Sequence, residues 1–183
     1  KIMSVLNENT IIGASAAGGY DIPNSLRFND DDSSYLSWTP SAVVNTFTIS
    51  IWTKVGNIGT GKMLACSRLA GGTSSYINFI SGDAIRVVLR DVLIFTTTAV
   101  YRDPSAWYHI VVSVVESGAV ELYVNGENIE SGTVGAASSL FTNAASYINA
   151  IGRYGDDSSN YYDGYMGEVN FIDGLALTPD SFG

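Results

Sequence analysis

Between Tyr154 and Asp163 the chain reads Tyr-Gly-Asp-Asp-Ser-Ser-Asn-Tyr-Tyr-Asp. Aromatic faces stack on the C–H surfaces of sugar rings, while carboxylates and amides hydrogen-bond the hydroxyls, so tyrosine beside aspartate and asparagine is the mixture a shallow glycan site needs. Tyr154, Asp156, Asp157, Asn160, Tyr161 and Tyr162 are therefore candidate glycan contacts. The same composition suits a polar loop whose tyrosines pack on their own sheet or on a neighbouring subunit. A second acidic group is Asn29-Asp-Asp-Asp32. Calcium prefers hard oxygen ligands, and Asn29, Asp32, Asp163 and Glu168 are the candidates for holding it. Three adjacent aspartates also repel one another, and such a run is commonly just solvated.

Other chemistry finds less support. Gly56-Asn-Ile-Gly-Thr-Gly-Lys-Met63 comes within one residue of a phosphate-binding loop, but Met63 stands where the magnesium-binding hydroxyl belongs. A short strand-like run follows it instead of a helix whose N-terminus would hold phosphate, so the segment reads as a hairpin turn. His109 is the sole histidine and shares a strand face with Trp107, Val111 and Ser113, which reads as a hydrogen-bonded sheet residue. No Gly-x-Ser-x-Gly elbow accompanies it. Cys66 is the only cysteine, which excludes an internal disulfide and fits a small strand residue.

The elements that must position these residues are strands. Trp107 to Glu130 predicts a three-strand meander closed by a Glu-Ser-Gly turn and by Asn125-Gly126, the dipeptide best suited to two successive positive φ angles. Strand-like runs recur over 25–28, 34–38, 46–52, 62–66, 76–80, 84–89, 92–96, 146–151 and 165–172. From Thr46 to Trp52 the alternation is clean, with Phe47, Ile49 and Ile51 on a buried face and Thr46, Thr48, Ser50 and Trp52 on a wetter one. Thr178-Pro-Asp-Ser-Phe is the one helix-start signature, long enough for a single turn. More than ten strands with no convincing 3.6-residue period predict an all-β sandwich of two antiparallel sheets or a jelly roll.

A chain of 183 residues, 46% hydrophobic and 15% charged, fits one domain with its own core. Eighteen acidic against nine basic side chains give a net charge of −9, which argues against nucleic acid and anionic membrane as partners. The first residues lack the apolar core of a signal peptide, and no apolar run approaches a membrane span, so a soluble chain is expected.

Four segments in order resemble the laminin-G-like, pentraxin-like jelly roll of the concanavalin A-like lectin/glucanase superfamily: Ser25 to Leu36, Thr46 to Lys54, Trp107 to Gly126 and Gly164 to Gly174. The resemblance implies a single lectin-like domain over 25–183, preceded by an arm and first strand over 1–24. Gly13 to Asp32, Tyr101 to Val112 and Glu168 to Gly183 are similar to the version found in structural proteins of tailed bacteriophages. That version implies a virion surface protein displayed as a homo-oligomer, with capsid or tail proteins as partners and with glycan binding as its activity. The alternative it implies is a capsid-decorating or tail protein that binds only other virion proteins, with Trp38 or Tyr161 as interface anchors. Glucanases of the superfamily carry Glu-x-Asp-x-(x)-Glu on one strand; its absence implies a non-catalytic protein. Related domains often hold calcium near such acidic loops. Many have Asp-Glu-Val where this chain has Gly167-Glu168-Val169, which removes one ligand.

Overall fold

A computed structural model describes residues 22–136, 141–155 and 159–183. The alternating runs form the expected strands: β1 (Leu26–Phe28), β2 (Leu36–Trp38), β3 (Phe47–Val55), β4 (Lys62–Leu69), β5 (Ser74–Phe79), β6 (Ile85–Leu89), β7 (Val92–Thr96), β8 (Tyr108–Val114), β9 (Ala119–Val124), β10 (Glu127–Thr133), β11 (Tyr147–Ile151) and β12 (Gly164–Asp173). They pair antiparallel in two six-stranded sheets, sheet A in the order β1-β12-β3-β8-β9-β10 and sheet B in the order β2-β11-β4-β5-β6-β7. The predicted jelly-roll sandwich is the fold observed.

Alternation puts Phe47, Ile49 and Ile51 of β3 and Val112 and Leu122 of β8 and β9 against Leu64, Ile77, Phe79, Ile85 and Val87 of sheet B. Each such side chain removed from water stabilises the sandwich by roughly 1.5–3 kcal/mol, which is why the two sheets stay closed on each other. Asn125 and Gly126 adopt φ of 52° and 84°, the two positive values their hairpin requires. In the turn between β8 and β9 the positive φ falls on Ser117.

Two expectations are corrected. The face of β3 read as the wetter one is sealed: Thr48 and Ser50 are 0% exposed and Trp52 6%. The C-terminal segment lies over it, its Leu175 carbonyl accepting from Thr48 Oγ1 at 2.8 Å and its Leu177 N–H donating to the same hydroxyl at 2.8 Å. The segment ends in a single 3-10 turn, Pro179–Ser181, as predicted, although the Thr178 side chain makes no cap bond. Residues 56–61, read as a hairpin turn, instead cross from β3 in sheet A to β4 in sheet B. A hairpin joins neighbours in one sheet, and here the apolar side chains at both ends of the connection belong to opposite layers.

Gly164 opens β12 at φ 143°, where an added Cβ would lie 2.2 Å from the Lys54 carbonyl, so only glycine lets β12 approach β3. The edge strands differ in build. β1 and β2 have three residues each, while the pairings of β10 with β9 and of β7 with β6 shift register at Asn128/Glu130 and at Val87/Val88. Trp38, considered above as an interface anchor, is half-buried, with its ring stacked on Phe141 at 5.8 Å and tilted on Phe171 at 5.6 Å.

Candidate functional site

Because Ile77 and Phe79 of β5 enter the core, Tyr76 and Asn78 between them face outward from sheet B. Register then places Arg86 of β6 and Met63 of β4 opposite Asn78. The segment after β11 completes the site by bringing Tyr154 and Asn160 to these strands. The result is a cavity of about 450 Å³ lined by Met63, Tyr76, Asn78, Arg86, Tyr154 and Asn160, among others.

Each wall is fixed. The Tyr154 ring meets that of Tyr76 edge to face at 5.4 Å, its hydroxyl lies 3.1 Å from Ser74 Oγ, and the Arg68 guanidinium sits 4.6 Å from its centroid. Asn160 holds φ 52° and accepts the Met63 N–H on its carbonyl at 2.9 Å. Its Oδ1 occupies the space that a side chain at Gly61 would need. Arg86 donates from Nε to Asn78 Oδ1 at 3.2 Å and lies 5.4 Å from the Tyr76 ring centroid. Asn78, buried, donates to the Phe79 carbonyl at 3.1 Å. Burial pushes the Tyr76 hydroxyl pKa above its usual value, with the Arg86 charge opposing. A second cavity of about 510 Å³ opens at the β2–β11 end of the sheet, where Arg153 lies 3.7 Å from the Tyr35 ring centroid beside Tyr147 and Ile148.

Of the predicted glycan contacts, Tyr154 and Asn160 line the first of these cavities. Tyr161 is half-buried and outside that lining, and Asp156 and Asp157 fall outside the described residues. Tyr162 is a correction: its side chain is fully buried, its ring packs edge-on against Phe28 at 6.0 Å, and its hydroxyl bonds Thr53. Backbone alternation sends neighbouring side chains opposite ways, so Tyr161 and Tyr162 do not act as a pair. Burial also raises the Tyr162 hydroxyl pKa well above its usual value. Tyr76, Asn78 and Arg86 escaped the sequence reading, although their spacing opposite Ile77, Phe79 and Val87 marks the outward face.

The calcium candidates do not assemble. Asn29 Nδ2 donates to Asp32 Oδ2 at 2.8 Å, Asp163 pairs with Arg27 at 2.6 Å, and Glu168 stands exposed in a β12 bulge at φ 46°. Among the described residues no three His, Cys, Asp or Glu side chains gather in a way that would hold a metal. These residues do not fit the ion. A buried amine supplies positive charge nearby instead: Lys62 Nζ, 1% exposed, donates to the Thr60 carbonyl at 2.9 Å and lies 3.9 Å from Asp83. Burial pulls the Lys62 pKa below its usual value, with Asp83, Asp163 and Asp30 opposing. Burial pushes Asp83 upward, but the Gly59 N–H, Arg102 and Lys62 outweigh it and hold its pKa below the usual carboxylate range. This network ties the β3–β4 crossing to the β5–β6 turn.

His109 is the hydrogen-bonded sheet residue expected. Its Nε2 lies 2.9 Å from Ser50 Oγ, its ring stacks on Trp52 at 4.6 Å and 6°, and Phe182 of the C-terminal segment meets it at 6.3 Å. Burial lowers its pKa to about 4, so it is neutral near pH 7.

Two antiparallel sheets, one covered over β3 and β8 and the other opening a tyrosine-, amide- and arginine-lined cavity, define a lectin-like jelly-roll domain. The family profile of the concanavalin A-like lectin/glucanases superfamily matches residues 30–181, and the chain belongs to that family. Among solved structures it is similar to domain 4 of AbnA, a GH43 extracellular arabinanase from Geobacillus stearothermophilus, in complex with arabinotriose. That match has 23% identity and TM-score 0.56 and covers 76% of this chain and 66% of that one. A putative carbohydrate binding protein from Bacteroides ovatus matches at 19% identity and TM-score 0.65, covering 84% of this chain and 44% of that one. The Ruminococcus gnavus IT-sialidase CBM40 bound to α2,3-sialyllactose matches at 14% identity and TM-score 0.58, covering 76% and 81%. This chain thus spans less than two thirds of the first two structures' length. No curated protein matches it.

Proposed function

We propose that this chain is a non-catalytic glycan-binding domain whose site is the Tyr76–Tyr154 cavity on sheet B, carried on the surface of a tailed-bacteriophage virion. The cavity carries the reading: two tyrosine rings set edge to face beside the amides of Asn78 and Asn160 supply both stacking surface and hydroxyl partners. No Asp or Glu is among the described residues lining it. The arabinotriose and sialyllactose in two similar structures support a saccharide ligand. The virion setting is supported by the sequence resemblance of residues 13–32, 101–112 and 168–183, and its partners are then capsid or tail proteins.

A single-site affinity near 1 mM, about 4 kcal/mol, suffices for such a domain when several linked copies act together. The test is a glycan array probed with multimerised protein. Signal that disappears in both Tyr154→Ala and Asn160→Ala variants supports the site. Silence across the array, together with binding to virion proteins, overturns it in favour of a decorating protein. Electron microscopy of the particle with the domain labelled tests the setting, with density at a fibre or tail tip expected for an adhesin.

A further inference from the structure

The cations of this acidic chain are unevenly distributed. Acidic side chains outnumber basic ones 18 to 9, yet neither cavity on sheet B has an Asp or Glu among its described lining residues. Arg27, Lys62 and Arg102 are engaged with Asp163 and Asp83. Arg68, Arg86 and Arg153 sit over tyrosine rings, at 4.6, 5.4 and 3.7 Å from the centroids of Tyr154, Tyr76 and Tyr35. A guanidinium over an aromatic ring keeps its charge while losing much of its rotational freedom. Arg86 is further restrained through Nε by Asn78, whose own amide is anchored on the Phe79 carbonyl. That restraint uses one of five N–H donors and leaves the terminal fork, the part of arginine that matches a carboxylate or sulfate bidentately, unspent on Asn78.

We propose that the cavity takes an acidic saccharide, one bearing a carboxylate or sulfate group, with Arg86 as the anion receptor and Asn78 as its positioning residue. This inference rests on the glycan-binding reading and narrows it. The net charge of −9 does not oppose it, because exposed charges more than about 10 Å away are screened at ordinary salt while a contact inside a cavity is not.

The test is calorimetric titration of the whole chain with matched pairs: sialyllactose against lactose, oligogalacturonate against its methyl ester, and a sulfated oligosaccharide against its desulfated form. The acidic member of at least one pair is expected to bind tenfold or more tightly; which pair responds separates carboxylate from sulfate. Arg86→Gln should abolish the preference without moving Tm by more than a few degrees, Arg86→Lys should restore part of it, and Asn78→Ala should weaken binding of the acidic member more than that of the neutral one. Equal binding of neutral and acidic members, unchanged in Arg86→Gln, overturns the inference and leaves the glycan site standing. Binding of no saccharide by the native chain overturns both. An acidic preference that survives Arg86→Gln overturns the role of Arg86.

Discussion

The outer faces of the two sheets start from the same kind of sequence and end in opposite states. On sheet A, Thr48 and His109 meet the C-terminal segment, Ser50 bonds His109, and Trp52 is buried against the His109 ring. On sheet B, Tyr76, Asn78 and Arg86 form the floor of an open cavity. Polar residues alternating with apolar ones mark both faces equally. What distinguishes them is the neighbouring connection: a segment bonded along β3 by its own backbone seals one, while Tyr154 and Asn160 of the segment after β11 line a cavity on the other.

The sharpest way to break this contrast is at Trp52. A Trp52→Ala change on the sealed face should cost about 4 kcal/mol, since it empties a buried ring site and strips His109 of its stacking partner. Urea denaturation followed by fluorescence measures it; a cost below 1 kcal/mol would mean the face is wetter than it looks. Next in size is the effect of acid. Burial lowers the folded pKa of His109 to about 4 against its ordinary 6.5, so below pH 6.5 the unfolded chain binds the proton first. Stability from this residue is complete above about pH 6.5 and falls by about 3 kcal/mol on descent to pH 4. His109→Gln should flatten that slope in a series of urea midpoints. Asp83, with its pKa held low, should add its loss only at still lower pH.

The open face predicts the reverse pattern, in which function is lost before stability. Tyr154→Ala should weaken saccharide binding about tenfold, or 1.4 kcal/mol, while lowering stability by less than half the Trp52→Ala cost. Titration and denaturation of one protein preparation compare the two directly; an equal loss in both would make Tyr154 a structural residue. The smallest effect expected is that of a chelator. EDTA should change neither Tm nor saccharide affinity, because Asp163 is already neutralised by Arg27, Asn29 and Asp32 bond each other, and Glu168 stands in the β12 bulge. A fall in either on chelation, reversed by calcium, would restore the metal reading.

Strands and turns were legible because their signals are local. Asn125-Gly126 carries its turn geometry in two residues, and Phe47-x-Ile49-x-Ile51 states its buried face in five. The site was legible only in half, through Tyr154 and Asn160. Its other half comes from β5 and β6, some 70 residues earlier, and only the pairing register of sheet B brings Arg86 beside Asn78 and both beneath Tyr154. The reading of Tyr162 as a ligand contact failed for a related reason: a tyrosine following a tyrosine gives no sign of which one enters the core. Lys62 ran against composition altogether, since a buried amine needs opposite charge nearby, and Asp83, Asp163 and Asp30, which oppose its desolvation, come from separate loops.

The four sheet edges bear on crowding. An exposed edge strand invites the edge of another molecule, and the common defences are to shorten it or to bend it with a bulge. Here the two edges on one side are three-residue strands, and the two on the other are interrupted by register shifts. Among the described residues, copies packed at high local density therefore meet no long, straight template on which to extend one another's sheets.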